Sequence, residues 1–410
     1  MATTTSSTSI WKRLGPGLLF AGAAVGVSHL VYSTQAGANY GFGLVWLVLA
    51  ANLFKYPFFQ FGPRYATATG ESLLDGYKKL GKGILITYFI LSIATMFTIQ
   101  TAVTIVTAGL ASTLFGDFIS IEIWTIIILL ICLSLLLLGK YKLLDKLMKI
   151  IVLTLTISTI IAVYMAYSKN STPLSIKQIL PSNSLEIAFL IAFMGWMPAP
   201  LDISVWQSLW AIEKNKETKE YTPKSALFDF NIGYLSTIFI GVGFLMLGTF
   251  VMFNSGETFS NSAAVFSGQL INMYTNSLGN WAHYIIAIAA FTTMFSTTIT
   301  TLDASPRAMN RTTELLFQKS SKYGYLIWLT ILTIGTICIF FFLNSEMGLL
   351  IKIATILSFI TAPFYAIINY KLISSIHTPS AWRPSMPLHV LSWLGIIFLT
   401  GFSIWYLSTL

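Results

Sequence analysis

Long apolar stretches separated by short polar ones dominate the chain. Eleven of them reach the roughly 18 residues that a helix needs to cross a bilayer. They fall at about 15–40, 42–63, 84–114, 121–138, 150–167, 185–211, 226–252, 281–302, 325–343, 347–370 and 387–407. Inside hydrocarbon the backbone must satisfy its own hydrogen bonds, so each stretch is read as a helix. Two of them carry punctuation that a membrane helix should not have. The first holds Gly15-Pro16-Gly17 at its entry and Gly26-Val27-Ser28-His29 near its middle. The sixth holds Gly195-Trp196-Met197-Pro198-Ala199-Pro200, where two prolines remove amide donors and clash with the preceding turn. A proline kink without function is the simpler reading of either one. Spans one and six lie five apart, however, as equivalent elements would in a five-plus-five inverted repeat. Paired interruptions of that kind point to a binding site at the midplane.

Composition agrees with this pattern. Of 410 residues, 55% are hydrophobic and 10% charged, against about 25% charged in soluble domains. That excludes a soluble enzyme as well as disordered, collagenous, coiled-coil and disulfide-scaffold classes. The expectation is an all-α integral membrane protein with one transmembrane domain over 1–410. Its parts are a cytoplasmic tail 1–14, repeat one 15–167, repeat two 185–370 and an additional helix at 387–407. The longest loops are expected near 253–280 and 303–324, and no small-residue cleavage pattern follows the first span. Cys132 and Cys338 lie inside apolar runs and read as buried side chains, not a disulfide.

The net charge of +9 does not imply nucleic acid, because the basic residues sit in short loops between apolar runs. They report orientation instead. Twenty of the 24 Lys and Arg fall on the side of the N-terminus, and only Lys169 and Lys177 on the other. This predicts a cytoplasmic N-terminus and an external C-terminus in a cell membrane. Lys55 and Lys352 lie inside spans.

The chemistry follows from the interruptions. At a broken membrane helix one half ends in free carbonyls, which suit a cation, and the next begins with free N–H groups, which suit an anion. Ser28 and His29 are the side chains at the first break; Met194, Trp196 and Met197 are those at the second. Neither break contains a carboxylate, and Asp202 follows four residues after Pro198. A hard divalent cation wants several oxygen ligands, usually including carboxylate. A softer metal could use His29 and Met197 as imidazole and thioether, and a small anion could use the helix N-termini with Ser28 and His29 as donors. A lone intramembrane histidine is equally well read as a satisfied structural donor. Trp196 sits within a break and could wall the cavity. Lys55, Asp202, Asp229 and Lys352 each need a partner, a wet cavity or an interface. Snorkelling explains the two lysines without function; the functional reading is positive potential along an anion pathway.

At these residues the chain resembles the Nramp family of divalent-metal transporters, which have the LeuT-like inverted-repeat fold with broken helices 1 and 6. The resemblance runs through most of the chain. It rests on Gly15-Pro16-Gly17, Gln35-Ala36-Gly37-Ala38, Ala51-Asn52-Leu53, Met197-Pro198, Ser296-Thr297-Thr298-Ile299-Thr300 and Pro363-Phe364. The departures bear on function. Where the family has Asp-Pro-Gly-Asn, this chain has Gly26-Val27-Ser28-His29. The family's Met-Pro-His becomes Met197-Pro198-Ala199, its next histidine falls at Ser204, and its span-ten glutamine at Thr361. No charged residue occurs from Ile84 to Gly116 or from Tyr325 to Ser345, so family-type proton symport is not expected. In LeuT-like transporters, hydroxyls at the place of Ser296, Thr297 and Thr300 help hold sodium; interhelical packing is the simpler account of them.

The resulting expectation is a monomeric secondary transporter in the lipid bilayer, moving a small inorganic ion without a cofactor and without enzymatic activity. Bicarbonate is the best single guess, with sodium as a candidate co-substrate. The expected substrate site comprises Gly26, Val27, Ser28, His29, Gly195, Trp196, Met197, Ala199 and Thr361. A divalent-metal transporter using His29 and Met197 is the alternative, and a receptor-like protein without transport is the third reading.

Overall fold

The computed structural model describes residues 14–169, 175–180, 182–217, 221–253, 259–260, 262–343 and 347–408, and the expected tail lies almost wholly outside them. Among the described residues all regular structure is helical. The first span enters as α1 (Pro16–Ala24), breaks at 25–27, resumes as a π-turn over Ser28–Ser33 and continues as α2 (Thr34–Tyr40). Gly41, with φ +56, then turns the chain into α3 (Val45–Thr69). Next come α4 (Leu73–Leu80), α5 (Lys82–Phe115) and α6 (Ile121–Lys169). The sixth span divides into α7 (Ser184–Trp196) and α8 (Ile203–Glu217). The remainder is α9 (Pro223–Val251), α10 (Ala263–Leu278), α11 (His283–Phe317), α12 (Gly324–Leu343), α13 (Met347–Ser374) and α14 (Met386–Leu407).

Both predicted interruptions are real breaks in helical structure. Several boundaries differ from the sequence reading. Nine described helical runs are long and apolar enough to cross a membrane, not eleven. One reason is that the run from Ser28 through α3 is helical for 42 residues. That is about 63 Å of helix rise, twice the hydrocarbon thickness, so it accounts for two crossings. The other is that span six is two short helices. The fourth and fifth spans were expected to be separated by a loop, yet α6 is helical throughout. The connecting sequence, Lys140 to Lys149, is rich in Lys, Leu and Met and contains no proline, so nothing in it stops a helix. The expected loop near 253–280 contains α10, and α11 runs on through most of 303–324. Cys132 is buried as expected, but Cys338 is exposed on the outer face; both are free thiols.

The two halves of span one are held on α9 at very close range. A Cβ on Gly17 would lie 2.1 Å from the Asp229 carbonyl oxygen, and one on Gly233 1.9 Å from that of Gly17. At the far end Gly37 meets the Leu245 carbonyl and Gly248 that of Thr34. Small residues allow membrane helices to approach in this way and gain van der Waals contact where water gives no driving force. The break itself therefore lies between two anchored segments. The second broken span is anchored similarly: α7 packs on α13 and α8 on α3.

Candidate functional site

The space between the two breaks is a cavity of about 20 Å3. From span one it is lined by Gly26, Val27 and Ser28, from span six by Trp196, Pro200 and Ile203, and opposite them by Thr297. Ala23, Ala24, Trp206, Ile99, Val103 and Thr301 complete the wall. No carboxylate and no imidazole is among its lining residues. Trp196 donates its indole N–H to Ser358 Oγ at 2.9 Å, which fixes the ring as a wall.

Of the expected site residues, Gly26, Val27, Ser28, Trp196 and Thr297 come together here. His29 does not face the cavity. Its Nδ1 lies 2.6 Å from Ser28 Oγ and its Nε2 3.0 Å from the Thr237 carbonyl. A carbonyl only accepts, so Nε2 carries the proton, and Nδ1 accepts from the serine hydroxyl. Both nitrogens thus have protein partners. Met197 turns the same way: its Cε and the His29 ring flank Gly241 of α9. Gly195 packs against the backbone of Thr355, and Thr361 donates to Ser358 of its own helix at 3.2 Å. Trp206, Ile203, Ile99 and Val103 escaped sequence reading, since an apolar side chain beside a break looks like any core residue.

The four half-helix ends at the breaks differ in how they are satisfied. At the end of α1, Thr297 Oγ1 lies 3.0 Å from the Gly22 carbonyl and 3.2 Å from that of Val25, with Ser296 Oγ 3.4 Å from Gly22. Thr300 bonds back to Ser296 at 2.6 Å. At the end of α7 the Lys55 ammonium, fully buried, donates to the carbonyls of Met194 (2.6 Å), Gly195 (2.9 Å) and Ala199 (3.1 Å). Snorkelling is thereby overturned for Lys55, because three carbonyls and a negative helix end give its charge an internal place. At the start of α8 the amides of Ile203, Ser204 and Val205 bond to the carbonyls of Pro200 (3.2 Å), Leu201 (3.1 Å) and Asp202 (2.9 Å). The remaining end is the start of the second half of span one. There, among the described residues, the Val27 and Ser28 amides have no backbone carbonyl partner.

The other two expected charges lie elsewhere. Asp229 is buried at the entry of α1 and accepts from the amides of Gly15 (3.0 Å) and Gly17 (2.8 Å) and from the Tyr221 hydroxyl (2.8 Å). It caps the entry of α1. Lys352 is exposed and lines a vestibule of about 220 Å3 with Tyr32, Gln35 and Ser260. At the opposite end a vestibule of about 560 Å3 is framed by Asp75, Glu213, Arg307, Arg311, Glu314 and Tyr325. The polar residues of α5 are used in packing: Gln100 accepts from Thr301 at 2.7 Å, and Thr107 pairs with Thr298 at 2.7 Å.

Three comparisons bear on this arrangement. The "Uncharacterized protein PM0681" of Pasteurella multocida (strain Pm70) is 37% identical over 406 residues, which is 98% of this chain and 93% of that one. Among solved structures, mutant forms of the Eremococcus coleocola manganese transporter superpose with TM-scores of 0.72 and 0.73 at 14% identity, covering 98% of this chain and 87% of theirs. MhsT, crystallised with L-phenylalanine, superposes with a TM-score of 0.66 at 14% identity, over 98% of this chain and 99% of its own. These likenesses establish the LeuT-like fold. The model of the family described as natural resistance-associated macrophage protein-like matches residues 17–409, and the chain belongs to that Nramp family of membrane transporters.

Proposed function

We propose that this transporter moves a small inorganic anion by alternating access, with bicarbonate as the candidate cargo. The observation that carries the proposal is the balance of the four half-helix ends. Protein groups already meet both carbonyl ends and one amide end. The end left open is a pair of amides, Val27 and Ser28, in a cavity lined by no negative side chain. Free N–H groups at a positive helix end favour an anion, and a divalent cation there would give up its water for no carboxylate. The Ser28 hydroxyl gives its one proton to His29 and leaves the backbone amides as the donors. The exposed Lys352, the one charged residue among the described residues that line this vestibule, raises the local concentration of anions. The lysine and arginine asymmetry supports a cytoplasmic N-terminus, which places this vestibule outside.

Sodium coupling is the reading for the Thr297 cluster, where a hydroxyl and two carbonyl oxygens converge. The manganese transporters of similar fold make divalent-metal transport the competing reading, through His29 and Met197. Purified protein in proteoliposomes decides between them. Radiolabelled bicarbonate should accumulate in an internal space buffered alkaline, and manganese should not enter. Val27→Pro, which removes one of the two open amides at a backbone φ of −56° that proline can adopt, should lower bicarbonate uptake by roughly tenfold, the worth of one hydrogen bond to a charged group. Manganese uptake that His29→Ala abolishes, with no anion flux, would sink the proposal.

A further inference from the structure

The charge on Lys55 occupies a place that chemistry would otherwise assign to a metal or alkali ion. Three carbonyl oxygens converge at 2.6, 2.9 and 3.1 Å on one point at the C-terminal end of α7. Carbonyl oxygens at a negative helix end, shielded from water, make a cation site. The side chain reaches it from α3, a different element, and is fully buried along its length. Three ammonium protons meet three acceptors, so the group is saturated. The nearest acting counter-charge is Asp202. The two form no ion pair within 4.0 Å among the described residues, and one Asp202 oxygen has no hydrogen-bond partner. Lys55 is therefore held by the broken helix and not by a carboxylate.

We propose that Lys55 is a resident cation: a specificity-determining residue whose tethered ammonium permanently fills the carbonyl cage of span six. It denies that cage to a mobile metal or sodium ion and supplies the positive charge that lets the adjacent cavity take an anion. This rests on the anion reading for its second half; the first half, the filled cage, stands without it. A purely architectural lysine that only holds the break open would give the same geometry but different ion selectivity after substitution.

The test uses the full chain in detergent and in proteoliposomes, as wild type, Lys55→Met and Lys55→Ala. In the wild type, Mn2+ should not raise the melting temperature, and Na+ should raise it only as far as the Thr297 cluster binds it. In Lys55→Ala, where the cage is vacated, Mn2+ should raise it, and Na+ should raise it further than in the wild type. Bicarbonate uptake should fall at least roughly tenfold in both variants, as removal of one buried charge partner predicts, and millimolar methylammonium should restore much of it in Lys55→Ala but not in Lys55→Met. Uptake within twofold of wild type in both variants would overturn the proposal, as would stabilisation of the wild type by micromolar Mn2+. That last measurement still decides the matter if neither variant folds. If the wild type moves no anion at all, the anion reading fails, and the gain of cation binding by Lys55→Ala alone judges the resident-cation claim.

Discussion

A carboxylate cannot be returned to position 26 without cost. A Cβ there would lie 2.8 Å from Thr297 Oγ1 and 3.0 Å from its Cγ2, so α11 presses on the break where the family pattern has Asp. Thr297 is also tied to two carbonyls of α1, which limits its retreat. Gly26→Asp therefore combines overpacking with burial of an unpaired charge. It should cost about 2–4 kcal/mol of stability, read as a lower melting temperature, and should not confer manganese uptake. Manganese transport by the single substitution would show that only one ligand had been missing. At this scale the sequence was informative about absence and poor about direction. The missing carboxylate and the exposed amides could be read from Gly26 to His29. That His29 turns its back on the cavity could not, because its partner Thr237 is distant in the chain and offers only a backbone carbonyl, which leaves no trace in residue type. Lys55 is similar: its acceptors are main-chain atoms of α7 and of the break that follows it.

At the scale of elements, the broken first span works because both of its halves are fixed while its middle is not. α1 is anchored at Gly17 against Gly233 and at its first amides by the Asp229 carboxylate. This was legible in part. Gly15-Pro16-Gly17 marks a helix entry, with proline at the first turn where no amide is needed. The cap itself comes from α9, 212 residues away, so in the sequence Asp229 reads only as an ionisable residue in need of a partner. Its role predicts a separable phenotype. Asp229→Asn keeps the size but turns an acceptor of two amides and a phenol into a mixed group. It should cost about 1–3 kcal/mol, seen as earlier unfolding on heating. The apparent KM for cargo should stay within about twofold, since the residue lies outside the cavity. A large change in KM with unchanged stability would place Asp229 in the pathway after all.

For the whole molecule, alternating access requires two ends that open in turn, and the two vestibules are built differently. Around the smaller one the closing contacts are aromatic: Tyr32 stacks with Phe193 at 6.2 Å and meets Phe189 at 5.6 Å. The larger one is tied by charge. Arg311 joins Asp75 of α4 and Glu314 of its own helix. The Asp303 carboxylate, nearly fully buried, takes Arg307 at 2.6 Å and the Tyr325 hydroxyl at 2.8 Å. The paired breaks made the repeat legible in the sequence, and charge counting separated the two ends. Neither could show that acidic and basic residues from α4 and α11 meet, because that depends on how the helices pack. The Arg311–Asp75 bridge crosses between elements that must part if this end opens. Arg311 is 41% exposed, so solvent screens the pair and its worth is about 1 kcal/mol. Removing it should move a closed–open equilibrium by roughly fivefold. The measurement is maleimide labelling of a cysteine placed at Leu209, which lines this vestibule, in a background with Cys132 and Cys338 replaced by serine. Arg311→Ala should raise the labelling rate by about that factor, and Asp75→Asn should do the same without adding to it when the two are combined, since both cut one bond. Equal rates in all four proteins would mean that the bridge is an ornament of the surface and that closure at this end is carried by packing of α4 and α8 alone.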